Sequence, residues 1–105
     1  MKEKIRVLIA DDNTEFAMTL NGYLEREEDI EVVGMAKDGN EAYKLILEQK
    51  PDVVLLDVIM PHLDGLGVLE MLQTAALDKM PMCIMLSAVG QDKITQKAIN
   101  LGAEY

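Results

Sequence analysis

The sequence is poor in cysteine and in aromatic residues. It contains one cysteine, Cys83, no tryptophan, one phenylalanine and three tyrosines among 105 residues. A single cysteine cannot form an intramolecular disulfide, so nothing in the sequence indicates an oxidising compartment. No apolar run reaches the ~18 residues of a membrane span, and the first residues do not lead into a signal-peptide core. We therefore expect a cytoplasmic protein without a membrane segment.

Positive charge is also scarce. Ten lysines and arginines stand against nineteen aspartates and glutamates, which gives a formal net charge of −9. Binding to a nucleic-acid backbone needs a cationic surface, so this domain is not expected to bind nucleic acid directly. Cations and basic partner surfaces fit the charge better. Half of the residues are hydrophobic, 50% by count, which is enough for one domain with a packed core.

Apolar runs alternate with amphipathic stretches along the chain. Apolar residues at helical spacing follow each run, and together they predict alternating strands and helices. The runs that predict strands lie at residues 5–10, 30–36, 53–56 and 82–86, and the last helical stretch lies at 94–101. Alternating strands and helices form βαβ units around a parallel sheet. We predict a doubly wound α/β domain, in which a strand order of 2-1-3-4 places the first and third strands side by side.

Polar side chains follow three of the predicted strands. Asp11 and Asp12 come after the first strand, Asp57 after the third and Ser87 after the fourth. Parallel strands end at the same edge of a sheet, and ligands bind beyond that edge where the strand order reverses. We therefore expect the three carboxylates to converge within a few ångströms, with the hydroxyl one strand away.

Such a cluster of carboxylates favours a particular chemistry. Adjacent carboxylates repel one another, and a divalent cation relieves the repulsion. Oxygen ligands suit Mg²⁺, which often retains waters and binds a phosphate of the substrate. Asp57 stands alone at the centre, so it is the candidate nucleophile, and an aspartate that attacks phosphorus forms an acyl phosphate. The metal would neutralise charge on the transferred group, and Ser87 would donate a hydrogen bond to it.

Three segments carry a family resemblance. IADDN at residues 9–13, VVLLDVIMPHLDG at 53–65 and IMLSA at 84–88 resemble the receiver domain of bacterial two-component response regulators. The resemblance covers residues 1–105, with the motifs in the family's order and spacing. It implies a flavodoxin-like doubly wound parallel sheet of order 2-1-3-4-5.

The resemblance implies a role for each acid of the cluster. Asp57 would be the phosphoacceptor and would also contact the metal. Asp12 would bind the metal directly, and Asp11 would reach it through water. The backbone carbonyl of Ile59 would be the third protein ligand. The cofactor would be Mg²⁺, with Ca²⁺ or Mn²⁺ as substitutes.

The resemblance also implies a switch. Ser87 would follow the phosphoryl group and move the loop after the fourth strand, while the small Ala88 would leave the phosphate site uncrowded. Phosphohistidine on a histidine kinase or phosphotransfer protein would be the donor. DVIMPHLDGLGVLE at 57–70 and GQDKITQKAINLGAEY at 90–105 most resemble receivers of regulators that initiate sporulation in Bacillus-type bacteria. Those receivers dimerise on phosphorylation and release a C-terminal DNA-binding domain, so the protein would be a regulator rather than an enzyme.

The family pattern extends further than this sequence. The fifth strand, whose lysine contacts the phosphoryl group, and the fifth helix would follow Tyr105. We therefore expect residues 1–105 to be a C-terminally truncated receiver domain. The fourth strand would then be an exposed edge that can pair with another chain. Self-association, including a segment-exchanged dimer, is a further hypothesis.

Three other functions fit parts of the pattern. A Mg²⁺-dependent phosphohydrolase with an aspartyl phosphate typically has a second acid two residues after the nucleophile, where this chain has Ile59. A flavodoxin-like electron carrier needs a hydroxyl- and glycine-rich loop after the first strand, where this chain has DNTE at residues 12–15. A receiver that binds partners without phosphorylation is supported only by the missing lysine.

Several residues near the predicted site have simpler interpretations. Asn13 or Thr14 would cap the first helix, and Asp64 would cap the third. Asp38-Gly39-Asn40 would form a turn. His62 is the only histidine. With no second histidine to complete a site, we interpret it as a loop residue.

Overall fold

The computed structural model describes residues 3–57, 60, 62–75 and 77–86. Strands and helices alternate along them, as the sequence pattern predicts. The strands are β1 (Ile5–Ala10), β2 (Ile30–Ala36), β3 (Val53–Leu56) and β4 (Met82–Met85), and the helices are α1 (Thr14–Glu25), α2 (Gly39–Gln49) and α3 (Gly65–Thr74). The helix predicted at 94–101 lies outside the described residues. Among the helices that are described, none has the length and apolarity required to cross a membrane.

The described strands form one parallel sheet in the order β2-β1-β3-β4, which confirms the predicted fold class and strand order. Ala10 pairs with Leu56, and Leu56 pairs with Met85, so β1, β3 and β4 end level with one another. β1 lies between β2 and β3, so the connection from β1 to β2 runs to one side of β1 and the connection from β2 to β3 crosses to the other side. Ligands of doubly wound sheets bind beyond the carboxyl edge at such a reversal.

The core covers both faces of the central strands. Leu8 and Ile9 point to opposite faces of β1, and both are 0% exposed. Each large apolar side chain buried in this way contributes roughly 1.5–3 kcal/mol. Cys83 is buried and free, as a core residue would be. Met82, at the start of β4, is 54% exposed.

Side-chain caps determine where the helices begin. Each cap uses a side-chain oxygen that accepts an N–H of the first turn, which would otherwise lack a partner. The pairs are Asn13 with Phe16 at 3.0 Å, Asp38 with Glu41 at 2.8 Å and Asp64 with Gly67 at 2.8 Å. The caps predicted at Asn13 and Asp64 are confirmed. The turn predicted at 38–40 is wrong in extent, because α2 already begins at Gly39.

Asp52 joins three strands at the opposite, amino-terminal edge of the sheet. Its Oδ2 accepts the backbone N–H of Arg6 at 2.9 Å, and its own backbone N–H donates to the Arg6 carbonyl at 2.8 Å. Its carbonyl accepts the N–H of Met82 at 2.9 Å, and its carboxylate pairs with the Lys79 ammonium. The hydrogen bond from Lys79, followed by that from Arg6, lowers the pKa of Asp52 below its ordinary value. These contacts hold β1, β3 and β4 in register away from the acidic edge.

Candidate functional site

Three carboxylates meet at the carboxyl edge of the sheet. Asp11 and Asp12 follow β1, and Asp57 follows β3. One oxygen of each lies within 4.8 Å of the others. Asp11 is buried, Asp57 is half-buried and Asp12 is exposed. The predicted convergence is therefore present. Exposure to solvent increases across the group, from Asp11 through Asp57 to Asp12.

Backbone hydrogen bonds continue the sheet pattern past the strand ends and position two of these acids. The N–H of Asp57 donates to the carbonyl of Ala10 at 2.8 Å, and the N–H of Asp11 donates to the carbonyl of Ala36 at 3.0 Å. The end of β1 is therefore tied to both neighbouring strands. Side chains held by a sheet are better ordered than side chains on a loop, which suits a reacting group.

Asp11 has the most restricted environment of the three. It is 7% exposed, and its Oδ1 accepts the backbone N–H of Asn13 at 2.8 Å. Burial raises the pKa of Asp11 above its ordinary value, and the neighbouring carboxyl groups of Asp57 and Asp12 raise it further, while the Asn13 N–H acts against them. Crowded carboxyl groups resist full ionisation unless a cation offsets their charge.

The donor set fits a hard divalent cation. All three side chains offer carboxylate oxygens, and their burial runs from buried through half-buried to exposed, so one flank of the group is open to water. Mg²⁺ in proteins prefers one or two carboxylates and keeps several waters. A spread of up to 4.8 Å suits an ion that contacts some of these acids directly and reaches the rest through water. Asp11, Asp12 and Asp57 are the described residues that would hold it.

Three predicted site residues, Ile59, Ser87 and Ala88, lie outside the described residues, so their roles stay predictions. The residues with simpler interpretations are described. Asp64 caps α3 and is not a member of the acidic group. His62 is exposed and adopts a left-handed backbone with φ of 69°, which agrees with its interpretation as a loop residue.

One contact near the site was not predicted. Gly39, at the start of α2, lies directly against the backbone of Leu63 in the connection between Asp57 and α3. A Cβ on Gly39 would overlap the Leu63 carbonyl oxygen and would lie 2.6 Å from its carbonyl carbon. Only glycine allows this approach. The pair Asp38-Gly39 was the available signal, but it was interpreted as a turn.

Comparison with known proteins identifies the family. The model of the response regulator receiver domain matches residues 7–105, so the chain belongs to that family. Receiver domains are the regulatory targets of two-component systems. The acidic group at the sheet edge therefore belongs to the receiver of a two-component response regulator.

Solved structures agree with this assignment. The chain is similar to the response regulator domain of CheB from Thermotoga maritima, with a TM-score of 0.87, 37% identity and coverage of 96% of this chain and 75% of that one. It is similar to the signal receiver domain of the putative response regulator NarL from Mycobacterium tuberculosis, with a TM-score of 0.84, 34% identity and coverage of 96% and 80%. A chain of the CheX–CheY–BeF3–Mg²⁺ complex from Borrelia burgdorferi matches with a TM-score of 0.83, 29% identity and coverage of 96% and 75%.

Proposed function

We propose that this receiver domain accepts a phosphoryl group on Asp57 in a Mg²⁺-dependent reaction. The observation that carries the proposal is the meeting of Asp11, Asp12 and Asp57 within 4.8 Å, at the carboxyl edge of the sheet, in a chain of the receiver family. The similar chain from Borrelia burgdorferi belongs to a complex that contains Mg²⁺, which supports the choice of metal. Ca²⁺ or Mn²⁺ would substitute, because both also accept oxygen ligands.

The burial of the acids supports Asp57 as the reacting group. Asp11 is buried, and one of its oxygens is occupied by the Asn13 N–H. Asp12 is exposed and is suited to hold a hydrated ion. Asp57 is half-buried at the end of the central strand β3, so it is both held by the sheet and open to a donor.

In the proposed reaction, a carboxylate oxygen of Asp57 attacks the phosphorus of a phosphohistidine. A P–O bond forms as the P–N bond breaks, the imidazole takes up a proton and leaves as a neutral ring, and Asp57 becomes an acyl phosphate. Asp11 and Asp12, with the backbone carbonyl of Ile59, would hold the metal. Bound Mg²⁺ would supply the positive charge that offsets repulsion between the carboxylates and the phosphoryl oxygens.

The proposal includes a switch and an output. Ser87 would donate a hydrogen bond to the phosphoryl group and Ala88 would leave room for it, so that phosphorylation favours one of two loop arrangements. A histidine kinase or phosphotransfer protein in the cytoplasm would be the donor. Phosphorylation would promote self-association and would control a C-terminal DNA-binding domain. The motifs at 57–70 and 90–105 support an output in sporulation transcription.

Label transfer from a small phosphodonor tests the phosphoacceptor. With Mg²⁺ and radiolabelled phosphoramidate, whose P–N bond stands in for that of phosphohistidine, the parent chain should take up label that hydroxylamine removes. Asp57→Asn should take up none. The matched control is Asp29→Asn, which removes the same charge from an exposed position after α1 and should be labelled like the parent. Hydroxylamine-resistant label, or equal labelling of Asp57→Asn, would contradict the proposal.

Self-association tests the switch separately. In the full-length protein, Ser87→Ala should accept phosphate but dimerise less than the parent when both are phosphorylated to the same extent. Sedimentation velocity with and without the phosphodonor measures this difference. Equal dimerisation of the two proteins would remove Ser87 from the switch without affecting the assignment of Asp57.

A further inference from the structure

Asn13 contacts both the acidic group and the first turn of α1. Its backbone N–H donates to Oδ1 of Asp11 at 2.8 Å, while its side-chain Oδ1 accepts the N–H of Phe16 at 3.0 Å. Its carbonyl accepts the N–H of Ala17 at 3.0 Å, and Ala17 is on the buried side of α1. One residue thus joins a carboxylate of the acidic group to a helix that is packed onto the sheet.

The buried position of Asp11 makes this contact important. At 7% exposure, Asp11 has little access to water, so the protein must supply the groups that orient its carboxylate. A carboxylate with one oxygen held by an N–H presents its other oxygen in a defined direction. Partners that orient metal-binding side chains typically contribute 10–100-fold to metal affinity.

We propose that Asn13 is a positioning residue for the metal site. Its N–H orients the carboxylate of Asp11, and its cap on α1 holds that N–H in place, so the first turn of α1 and the affinity for Mg²⁺ are coupled. This inference rests on the proposed function, in which Asp11 serves the metal. Asn13 itself does not touch the ion or the phosphoryl group.

Three substitutions at Asn13 separate the N–H from the cap. Asn13→Ser keeps the N–H and supplies another capping oxygen. Asn13→Ala keeps the N–H but removes the cap. Asn13→Pro removes both, and the φ of −82° at this position is close to the value that proline adopts. All three variants have the same charge as the parent, so differences in Mg²⁺ affinity are not caused by a change in net charge.

The experiment is a calorimetric Mg²⁺ titration of each variant, with thermal unfolding measured in metal-free buffer. We expect the dissociation constant to stay near the parent's for Asn13→Ser, to rise about threefold for Asn13→Ala and to rise roughly tenfold for Asn13→Pro. If circular dichroism shows that Asn13→Pro does not fold, the comparison of Asn13→Ala with Asn13→Ser decides the matter.

The cap of α2 offers a matched control. Asp38 accepts the N–H of Glu41 at 2.8 Å and is not a member of the acidic group. Asp38→Ala should lower the unfolding midpoint relative to Asp38→Asn, as loss of any helix cap does, but the two should bind Mg²⁺ equally. If Asp38→Ala raises the Mg²⁺ dissociation constant as much as Asn13→Ala does, the effect at Asn13 reflects general instability and the inference is overturned.

The outcomes distinguish the inference from the proposed function. If the parent chain binds Mg²⁺ and the folded Asn13 variants all bind it with the same affinity, the positioning role is wrong and the metal site stands. If the parent does not bind Mg²⁺, the proposed function is contradicted, and the inference is contradicted with it.

Discussion

The carboxylate oxygens of Asp11 and Asp57 lie within 4.8 Å of each other at the ends of adjacent parallel strands. Their separation is set by the sheet, because the N–H of Asp57 donates to the carbonyl of Ala10, the residue before Asp11. The charge of Asp57 adds to burial in raising the pKa of Asp11. A cation or a proton would relieve the resulting repulsion, so the proposed metal binding, proton binding and folding stability would be linked at this pair.

Removal of the exposed acid should weaken metal binding. Asp12→Asn should raise the Mg²⁺ dissociation constant by roughly tenfold or more, because a neutral amide would replace one of the carboxylates proposed to hold the ion. Calorimetric titration measures the change, and Asp29→Asn is the control for the lost charge. An unchanged titration for Asp12→Asn would remove Asp12 from the site.

The pH dependence of stability should report the environment of Asp11. A carboxyl group whose pKa is raised by folding holds its proton more tightly in the folded state, so its ionisation costs stability as the pH rises above its ordinary value of 3.8. In metal-free buffer, the parent should therefore lose stability relative to Asp11→Asn as the pH rises upward from about 4. Urea unfolding of both proteins across this range measures the difference. A difference that is constant with pH, or that grows in favour of the parent, would contradict the prediction.

The contact between Gly39 and Leu63 predicts opposite effects for two similar substitutions. Gly39→Ala should destabilise the fold by about 1–3 kcal/mol, because the new Cβ would overlap backbone that must move. Gly22→Ala, in α1, meets no atom within 4 Å and should stabilise by about 0.5–1 kcal/mol, as alanine does in an exposed helix. Urea unfolding measures both changes. Equal effects would mean that the chain after Asp57 moves away from α2 at little cost.

The ion pair between Lys79 and Asp52, at the amino-terminal edge of the sheet, predicts different losses of stability when each partner is removed. Lys79→Ala should cost less than about 1 kcal/mol, because the Lys79 side chain is 67% exposed and that of Asp52 is 34% exposed. Asp52→Ala should cost more, about 1–2 kcal/mol, because the N–H of Arg6 also loses its acceptor. Since folding lowers the pKa of Asp52, its contribution should be present above the ordinary value of 3.8 and should fade as the pH falls below it. Chemical unfolding of the two variants tests the order, and equal losses would contradict it.

Much of the fold could be predicted because the relevant forces are local. The bounds predicted for β1, β2 and β3 match the structure to the residue, since each apolar run is bordered by charged residues that break it. The fourth strand was predicted one residue too long, because Leu86 is apolar like the strand before it. The cap at Asn13 was one of two candidates, and the hydrogen bond to the N–H of Phe16 decided between them.

The meeting of the three acids at one sheet edge was predictable, but their environment was not. The positions of the acids after β1 and β3, together with the rule that parallel strands end at one edge, were enough to bring them together. Periodicity does not reveal that Asp11 is buried and Asp12 exposed, since the two are identical neighbours. The hydrogen bond from the Asn13 N–H to Asp11 is local, since aspartate side chains often bond the backbone two residues on, but it was not predicted.

By itself, the sequence determined the alternation of strands and helices, the acids at the strand ends and, through its motifs, the family. Only the tertiary structure decided which carboxylate is buried and how closely α2 approaches the chain after Asp57. The physical reason is that helix and strand patterns are local, since they depend on neighbours a few residues apart. Burial, close backbone contact and charge coupling depend on distances between segments that are remote in the chain, and these exist only once the sheet has formed.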